Sequence, residues 1–203
     1  ANAFASGWHL HQSLERRSDG ANAFIPETAD QLISPTGEAF AAGILKNAAA
    51  AAVFTTPTVN GYKRYKPNSL APDRAAWGRD NKGAMLRVVS AGPGDGATRL
   101  ENRAGEPSAN PYLYLASQIH SGLDGLKNGL IPPLPTDDPY ANDAAPLPTN
   151  LMDAVTELDK STTLRAAFGD QFVDYLLHIK RAEISRFLST VTDWEHREYF
   201  EIF

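Results

Sequence analysis

The sequence has 203 residues, of which 42% are hydrophobic and 21% charged. This length and balance predict one folded domain, or part of one, and exclude a disordered, collagen-like or coiled-coil chain. No apolar run approaches the roughly 18 residues of a transmembrane helix, and the N-terminus lacks the pattern of a signal peptide, so we expect no membrane segment. The absence of cysteine excludes disulfides and thiolate metal sites and is typical of a cytoplasmic protein. The net charge of −5 disfavours nucleic-acid binding.

The charge is unevenly distributed along the chain. Residues 61–103 contain nine basic and four acidic side chains, a net charge of +5, whereas the rest of the chain carries −10. A basic centre in an acidic protein favours a site for small anions such as phosphates and carboxylates. Chance clustering on a solvated surface is the alternative.

The first half of the chain begins with a strand and continues with a helix. Apolar and polar residues alternate over 7–14, which predicts a strand, and a chain that starts within a strand and without methionine is expected to belong to a longer protein. Residues 15–33 resemble a polar loop. Ser34-Pro35 is a helix-start signal, and the apolar spacing predicts a helix from there to about Val53.

The second half predicts two more strands and then helices. Residues 56–83 are rich in Pro, Asn and Gly and are expected to be irregular. The later elements are strands at 84–89 and 98–103, a helix from Pro111 to about 128, a proline-rich connection over 131–148, and helices at 149–168 and 170–189. This order predicts an α+β fold.

Two short patterns carry residues suited to chemistry. His9, His11 and Ser13 alternate along the first strand and would share one face, which suits a metal or phosphate but also occurs on ordinary surface strands. Arg99-Leu100-Glu101-Asn102-Arg103 would place Arg, Glu and Arg in a row on one face. That row is compatible either with a solvated edge strand or with a site where the carboxylate holds a hard cation and the arginines bind phosphate.

Several motifs, taken in order, resemble the C-terminal half of the glutamine synthetase catalytic domain. No phosphate-binding P-loop, nucleophile elbow or HExxH helix is present. The matching segments are Gly7-Trp8-His9-Leu10-His11-Gln12-Ser13-Leu14, Asn60-Gly61-Tyr62-Lys63-Arg64, Ala71-Pro72, Asn81-Lys82 with Arg87, Arg99-Leu100-Glu101-Asn102-Arg103, Ala109-Asn110-Pro111-Tyr112-Leu113 and Gly122-Leu123-Asp124-Gly125. The resemblance extends from residue 6 to the C-terminus with the order and spacing of the family.

The resemblance implies an ATP-dependent ligase. In this chemistry ATP phosphorylates the γ-carboxylate of glutamate and leaves as ADP, and ammonia or a larger amine attacks the acyl phosphate to give an amide and phosphate. By position, the metal ligands for Mg²⁺ or Mn²⁺ would be His9 and Glu101, and the ATP contacts would be His11, Ser13, Arg87 and Arg99. Arg64 and Arg103 would bind glutamate, and Arg87, Lys82 and Arg103 would act in catalysis.

Three departures from the family pattern bear on the substrate. Leu70 stands where ammonia-using enzymes have a flap glutamate, Phe4-Ala5 replaces a glutamate-binding Asn-Gly, and Lys82 replaces an arginine. A leucine neither attracts ammonium nor takes its proton. These changes favour the branch that joins glutamate to larger amines, the γ-glutamyl-amine ligases. In the alternative, Asp73 or another acid replaces the lost flap glutamate and ammonia is the substrate. The changes are also compatible with a similar acid in place of glutamate as the acid substrate.

The resemblance also implies that the chain is incomplete. Residues 1–203 would form the C-terminal segment of the catalytic domain, an antiparallel sheet with helices on its outer side, without the N-terminal β-grasp domain and the first half of the catalytic domain. One His and one Glu do not fill an octahedral metal site, so this segment alone is expected to be inactive. The full protein would be a homo-oligomer with active sites between subunits, and a non-catalytic scaffold of the same fold is the alternative.

Overall fold

A four-stranded sheet in the order β1-β4-β3-β2 carries the charged rows of the sequence. The computed structural model describes residues 6–66, 69–140 and 143–203. The strands are β1 (Leu10–Gln12), β2 (Trp77–Arg79), β3 (Leu86–Val89) and β4 (Arg99–Asn102). β4 pairs antiparallel with both β1 and β3, which confirms the predicted antiparallel arrangement of the three predicted strands.

The fourth strand, β2, was not predicted. It pairs parallel to β3 at the far edge, so that the sheet is mixed, and it lies within the stretch expected to be irregular. A strand of three residues is too short for an alternation pattern, and β2 depends on its pairing with β3 and on Trp77, which is 2% exposed. The prediction of irregular structure was therefore wrong at this point.

Alternation along the strands separates a core face from a polar face. Leu86, Val88 and Leu100 are fully buried and pack in one cluster with the apolar side chains of the helix α1 (Pro35–Lys46). Arg87 and Glu101 alternate with these residues and therefore lie on the opposite face. The predicted α+β fold with helices packed on one side of the sheet is confirmed.

The predicted helix from Pro35 to Val53 is two helices, α1 and α2 (Ala48–Thr55), which meet at Asn47. Ser34 caps the first, as predicted, by accepting a hydrogen bond from the backbone of Gly37. The side chain of Asn47 donates to the carbonyl of Gly43 and to the carboxylate of Asp124. These contacts hold the break, and helical spacing alone does not reveal them.

The remaining helices build a second apolar cluster. They are α3 (Pro111–Lys127), α4 (Leu151–Lys160), α5 (Thr162–Phe168), α6 (Asp170–Leu188) and α7 (Asp193–Tyr199). The cluster joins α2 with α4, α5 and α6 through side chains such as Phe54, Leu158 and Leu177. The predicted helix at 149–168 is broken at Ser161, which caps α5, and α7 was not predicted. No helix among the described residues is long and apolar enough to span a membrane.

Candidate active site

The three antiparallel strands bring residues from distant parts of the sequence to one place on the polar face of the sheet. In the register of the sheet, Glu101 of β4 lies directly opposite His11 of β1 and opposite Arg87 of β3. His9 and Arg103 flank the ends of β1 and β4 and lie on the same side of the sheet. Side chains separated by about 90 residues of sequence therefore surround one carboxylate.

Glu101 is the centre of this cluster. Its side chain is only 3% exposed, and it accepts hydrogen bonds from Nη1 of Arg103 (2.7 Å, to Oε1) and from Nη1 of Arg87 (2.9 Å, to Oε2). Burial acts to raise the pKa of this carboxyl group, but the hydrogen bond from Arg87 and the charge of Arg103 outweigh burial and hold the pKa below its usual value. Glu101 is therefore ionised at neutral pH.

His9 contacts the same carboxylate from the start of β1. Its Nδ1 lies 2.8 Å from Oε1 of Glu101. Burial and the positive charge of Arg103 lower the pKa of His9, more strongly than Glu101 raises it. The imidazole is therefore neutral at neutral pH, the form in which histidine binds metal ions.

The spacing of His9 and Glu101 fits two neighbouring ligands of a hard divalent cation. Adjacent ligand atoms of an octahedral site with bonds of about 2.1 Å lie roughly 3 Å apart, close to the 2.8 Å between Nδ1 and Oε1. No group of three or more His, Asp or Glu side chains that could hold a metal occurs within the described ranges 6–66, 69–140 and 143–203. The donors present fit part of a metal site.

Arg87 links Glu101 to a residue that the sequence analysis missed. Its Nε donates to Oδ1 of Asp80 (2.7 Å), its Nη2 contacts the same oxygen, and its Nη1 bonds Glu101. The hydrogen bond from Arg87 and its charge lower the pKa of Asp80. Asp80 adopts a left-handed backbone conformation (φ 46°) in the turn after β2, so no strand or helix pattern pointed to it.

His11 and Arg99 form a second pair on the same face. Nε of Arg99 donates to Nδ1 of His11 (3.0 Å), and Nε2 of His11 lies 3.8 Å from Oε1 of Glu101. Ser13 is exposed just beyond β1, and it makes no side-chain hydrogen bond to the described residues. The structure therefore brings His11 and Arg99 into contact with each other and leaves Ser13 at the margin of the cluster.

Two arginines near the C-terminal end of β4, Arg64 and Arg103, donate hydrogen bonds to backbone carbonyls. Nη2 of Arg64 donates to the carbonyls of Arg103, Ala104 and Gly105, at 3.3, 2.6 and 3.1 Å. Nε of Arg64 is buried and has no hydrogen-bond partner among the described residues. Nε of Arg103 donates to the carbonyl of Lys82, whose own side chain is exposed and forms no ion pair within the described part of the chain.

The residues that bear on substrate choice lie at the rim. Leu70 is 60% exposed and has a left-handed backbone (φ 59°), which is unfavourable for a residue with a branched side chain. Asp73 is partly buried, and its Oδ1 has no hydrogen-bond partner among the described residues. Phe4-Ala5 lies outside the described residues.

Comparison with known proteins identifies the family. Residues 1–199 match the model of the glutamine synthetase catalytic domain. The chain is 50% identical over 210 residues to the γ-glutamylanilide synthase of an Acinetobacter species, covering 98% of this chain and 42% of that protein. It is 36% identical over 206 residues to the glutamine synthetase of Methanococcus maripaludis, covering 97% of this chain and 45% of that protein.

A solved structure agrees with this assignment. The fold matches that of a GmaS/ADP complex with a TM-score of 0.85 at 32% identity, over 96% of this chain and 46% of that one. The chain thus spans less than half the length of these relatives. The resemblance predicted from the sequence motifs is confirmed, and the chain belongs to the glutamine synthetase catalytic-domain family.

Proposed function

We propose that this chain is the C-terminal segment of an ATP-dependent ligase that joins the γ-carboxylate of glutamate to an amine through an acyl phosphate. The observation that carries the proposal is the convergence of His9, Arg87 and Arg103 on the buried carboxylate of Glu101. A scaffold has no need of an ionised carboxylate buried between two arginines, because such burial costs free energy that an apolar core would not incur.

In this proposal the polar face of the sheet binds MgATP or MnATP. His9 and Glu101 supply two ligands of the metal ion, which when bound neutralises charge on the phosphate oxygens. Arg87 and Arg99 neutralise the phosphates, and His11 and Ser13 contact the nucleotide. Lys82 stabilises the charge that develops on the transferred phosphoryl group, and its exposed side chain is free to move toward that group. Relatedness to a protein solved with ADP supports nucleotide binding at this site.

The acid substrate is proposed to be glutamate, held by Arg64 and Arg103. Both guanidinium groups are fixed on one edge by backbone carbonyls of the protein, and Nε of Arg64 is buried with no hydrogen-bond partner in the part of the chain that the structure describes. A buried donor without an acceptor is unfavourable, so an incoming carboxylate would relieve it. Anchored arginines also orient the γ-carboxylate without a further loss of side-chain entropy.

The remaining parts of the site are proposed to come from elsewhere. The further metal ligands would belong to the first half of the catalytic domain and the β-grasp domain of a longer protein, so the segment alone would be inactive. That protein is proposed to form a homo-oligomer with active sites between subunits. Large apolar side chains that are exposed at the end of α6, on α7 and just after α7, such as Leu188, Trp194 and Phe200, support an interface of this kind.

We propose further that the amine is larger than ammonia. Leu70 offers no charge and no base, and bringing an ammonium ion against an apolar side chain without a partner is unfavourable. The identity to a γ-glutamylanilide synthase, 50%, exceeds the identity to the glutamine synthetase of Methanococcus maripaludis, 36%, which supports an alkyl- or arylamine. The second candidate is ammonia, with Asp73 as the acid that receives the proton, because its Oδ1 is buried and no hydrogen-bond partner for it occurs within residues 6–66, 69–140 and 143–203.

The test supplies ATP, glutamate and Mg²⁺ to the full-length protein and compares the product formed from ammonia with that from a panel of alkyl- and arylamines. We expect a higher kcat/KM for an organic amine, and a Leu70→Glu variant that gains activity with ammonia. If ammonia gives the higher kcat/KM, and an Asp73→Asn variant loses that activity, the second candidate is correct.

A further inference from the structure

Glu106 is a buried carboxylate that the proposed mechanism does not use. The residue is 8% exposed, and no Lys, Arg or His side chain within the described residues forms an ion pair with it. Its Oε1 accepts hydrogen bonds from Oγ1 of Thr58 (2.9 Å) and from Oγ of Ser108 (2.6 Å). Burying a carboxyl group without a cation costs free energy, so this group calls for an explanation beyond packing.

The contacts of Glu106 fix the segment that leads to Arg64. Its backbone N–H donates to the carbonyl of Thr55 (3.0 Å), at the end of α2. Thr58, which donates to the carboxylate, also accepts a hydrogen bond from the N–H of Gly61 (3.1 Å). Gly61 begins a 3-10 turn, Gly61–Arg64, whose last residue is Arg64.

Gly61 leaves the space that the Glu106 carboxylate occupies. A Cβ atom at position 61 would lie 2.3 to 2.6 Å from the three carboxyl atoms of Glu106, closer than real Cβ contacts allow. The backbone of Gly61 does not have a positive φ, so glycine is required here for this close approach and not for its conformation. The turn Gly61–Arg64 therefore packs directly against the carboxylate of Glu106.

The far end of the same turn is bonded to the residues just before Glu106. Nη2 of Arg64 donates to the carbonyls of residues 103–105, so the turn is closed onto the segment 103–106 at both of its ends. We infer that Glu106 is a positioning residue, which holds the Gly61–Arg64 turn so that the guanidinium of Arg64 is presented to the carboxylate of the acid substrate. The inference rests on the proposed function, in which Arg64 binds glutamate.

The test measures KM for glutamate, KM for ATP and kcat in the full-length protein. A Glu106→Ala variant is expected to raise KM for glutamate about tenfold and to change KM for ATP less than twofold, because only the glutamate-binding arginine depends on this turn. Glu106→Gln retains an acceptor for both hydroxyl groups, so it is expected to restore most of the lost affinity for glutamate. Equal losses in the Ala and Gln variants would overturn a positioning role and point to the charge itself.

A double-mutant cycle tests the contact between Gly61 and the carboxylate of Glu106. Gly61→Ala forces the carboxylate away from Thr58 and is expected to raise KM for glutamate as Glu106→Ala does, whereas the same change in the Glu106→Ala background is expected to add little. Full additivity would overturn the inference. Ser108→Ala and Thr58→Val, which each remove one donor and little volume, give the same test if Glu106→Ala does not fold.

Asp124→Ala is the matched control, because Asp124 is a largely buried carboxylate paired with Lys46 and remote from the site. It is expected to lower the melting temperature and to leave KM for glutamate unchanged. A wild-type protein without glutamate-dependent ligase activity would overturn the proposed function and this inference together. Wild-type activity with an unchanged KM for glutamate in Glu106→Ala would overturn the inference alone.

Discussion

At the scale of single residues, the cluster around Glu101 contains more positive than negative charge. Arg87 and Arg103 pair with the two carboxylates of Glu101 and Asp80, and Arg99 adds a third positive charge beside His11. A positively charged surface of this kind attracts polyphosphates. The negative charge of Glu101 offsets the repulsion between the arginines and a metal cation, so that a cation can also bind there. This balance suits the proposed metal–nucleotide site, whereas in a simple anion site the carboxylate would have no use.

Replacement of Glu101 tests this balance directly. Glu101→Gln keeps the size and one acceptor but removes the charge, and we expect the full-length protein to lose Mn²⁺-dependent ATP turnover by about 100-fold or more, because a metal ligand acts in the transition state. The measurement is kcat with saturating glutamate and amine. Glu157→Gln changes a partly exposed residue of α4 that is paired with Lys160; this variant is the control and should keep wild-type turnover. Unchanged turnover in Glu101→Gln would remove this residue from the site.

At the scale of elements, the packing of α1 against α3 depends on two glycines that face each other. A Cβ atom on Gly43 would lie 2.0 Å from the carbonyl oxygen of Ser121, and one on Gly125 would lie 1.9 Å from that of Ala39. Both contacts are with backbone, which cannot move aside as a flexible side chain can. This close approach sets the distance between the two helices and thereby the position of α1 beneath the sheet.

Gly125→Ala is therefore expected to destabilise the protein by roughly 3 kcal/mol or more, since the helices must separate to admit the methyl group. The measurement is the melting temperature of the full-length protein and its yield in soluble form. Gly96→Ala is the matched control, because a Cβ atom there meets nothing within 4 Å and its φ is not positive. Equal melting temperatures for the two variants would contradict this account of the packing.

The elements that could be predicted are those with a local signal. Ser34 caps α1 at the expected position, α3 begins at Pro111 as predicted, and β3 and β4 show the alternation that predicted them. The break at Asn47 and the strand β2 could not be predicted, because each depends on partners distant in sequence, Asp124 in one case and β3 in the other.

The residues of the candidate site also fall into those with a local sequence signal and those without one. The Arg99-Glu101-Arg103 row and the first-strand histidines follow from strand alternation, and their meeting at Glu101 is what the resemblance implied. Asp80 and Glu106 were not predicted, since a turn aspartate and a glutamate before proline carry no pattern of their own. Only the tertiary contacts with Arg87 and Gly61 show what these two residues hold in place.

At the scale of the whole molecule, two elements make few contacts with the rest of the described chain. The edge strand β1 has one paired side in the described sheet, and α7 has no buried residue. Both observations agree with a chain that spans 42 to 46% of the length of its relatives. The cluster at Glu101 lies next to the β1 edge, so a continuation of the sheet beyond β1 would bring new side chains close to His9 and Glu101, the proposed metal ligands.

Metal affinity provides the test at this scale. In the proposed site His9 and Glu101 supply two ligands, whereas a hard divalent cation takes six or more. The isolated chain 1–203 is therefore expected to bind Mn²⁺ at least 100-fold more weakly than the full-length protein. Titration followed by the electron paramagnetic resonance signal of free Mn²⁺ measures both affinities without requiring turnover. Glu101→Gln in the full-length protein should weaken the same site, which links the measured affinity to this carboxylate. Equal affinities of the isolated chain and the full-length protein would show that the described residues already complete the site, and would contradict the proposal that the remaining ligands come from the rest of the protein.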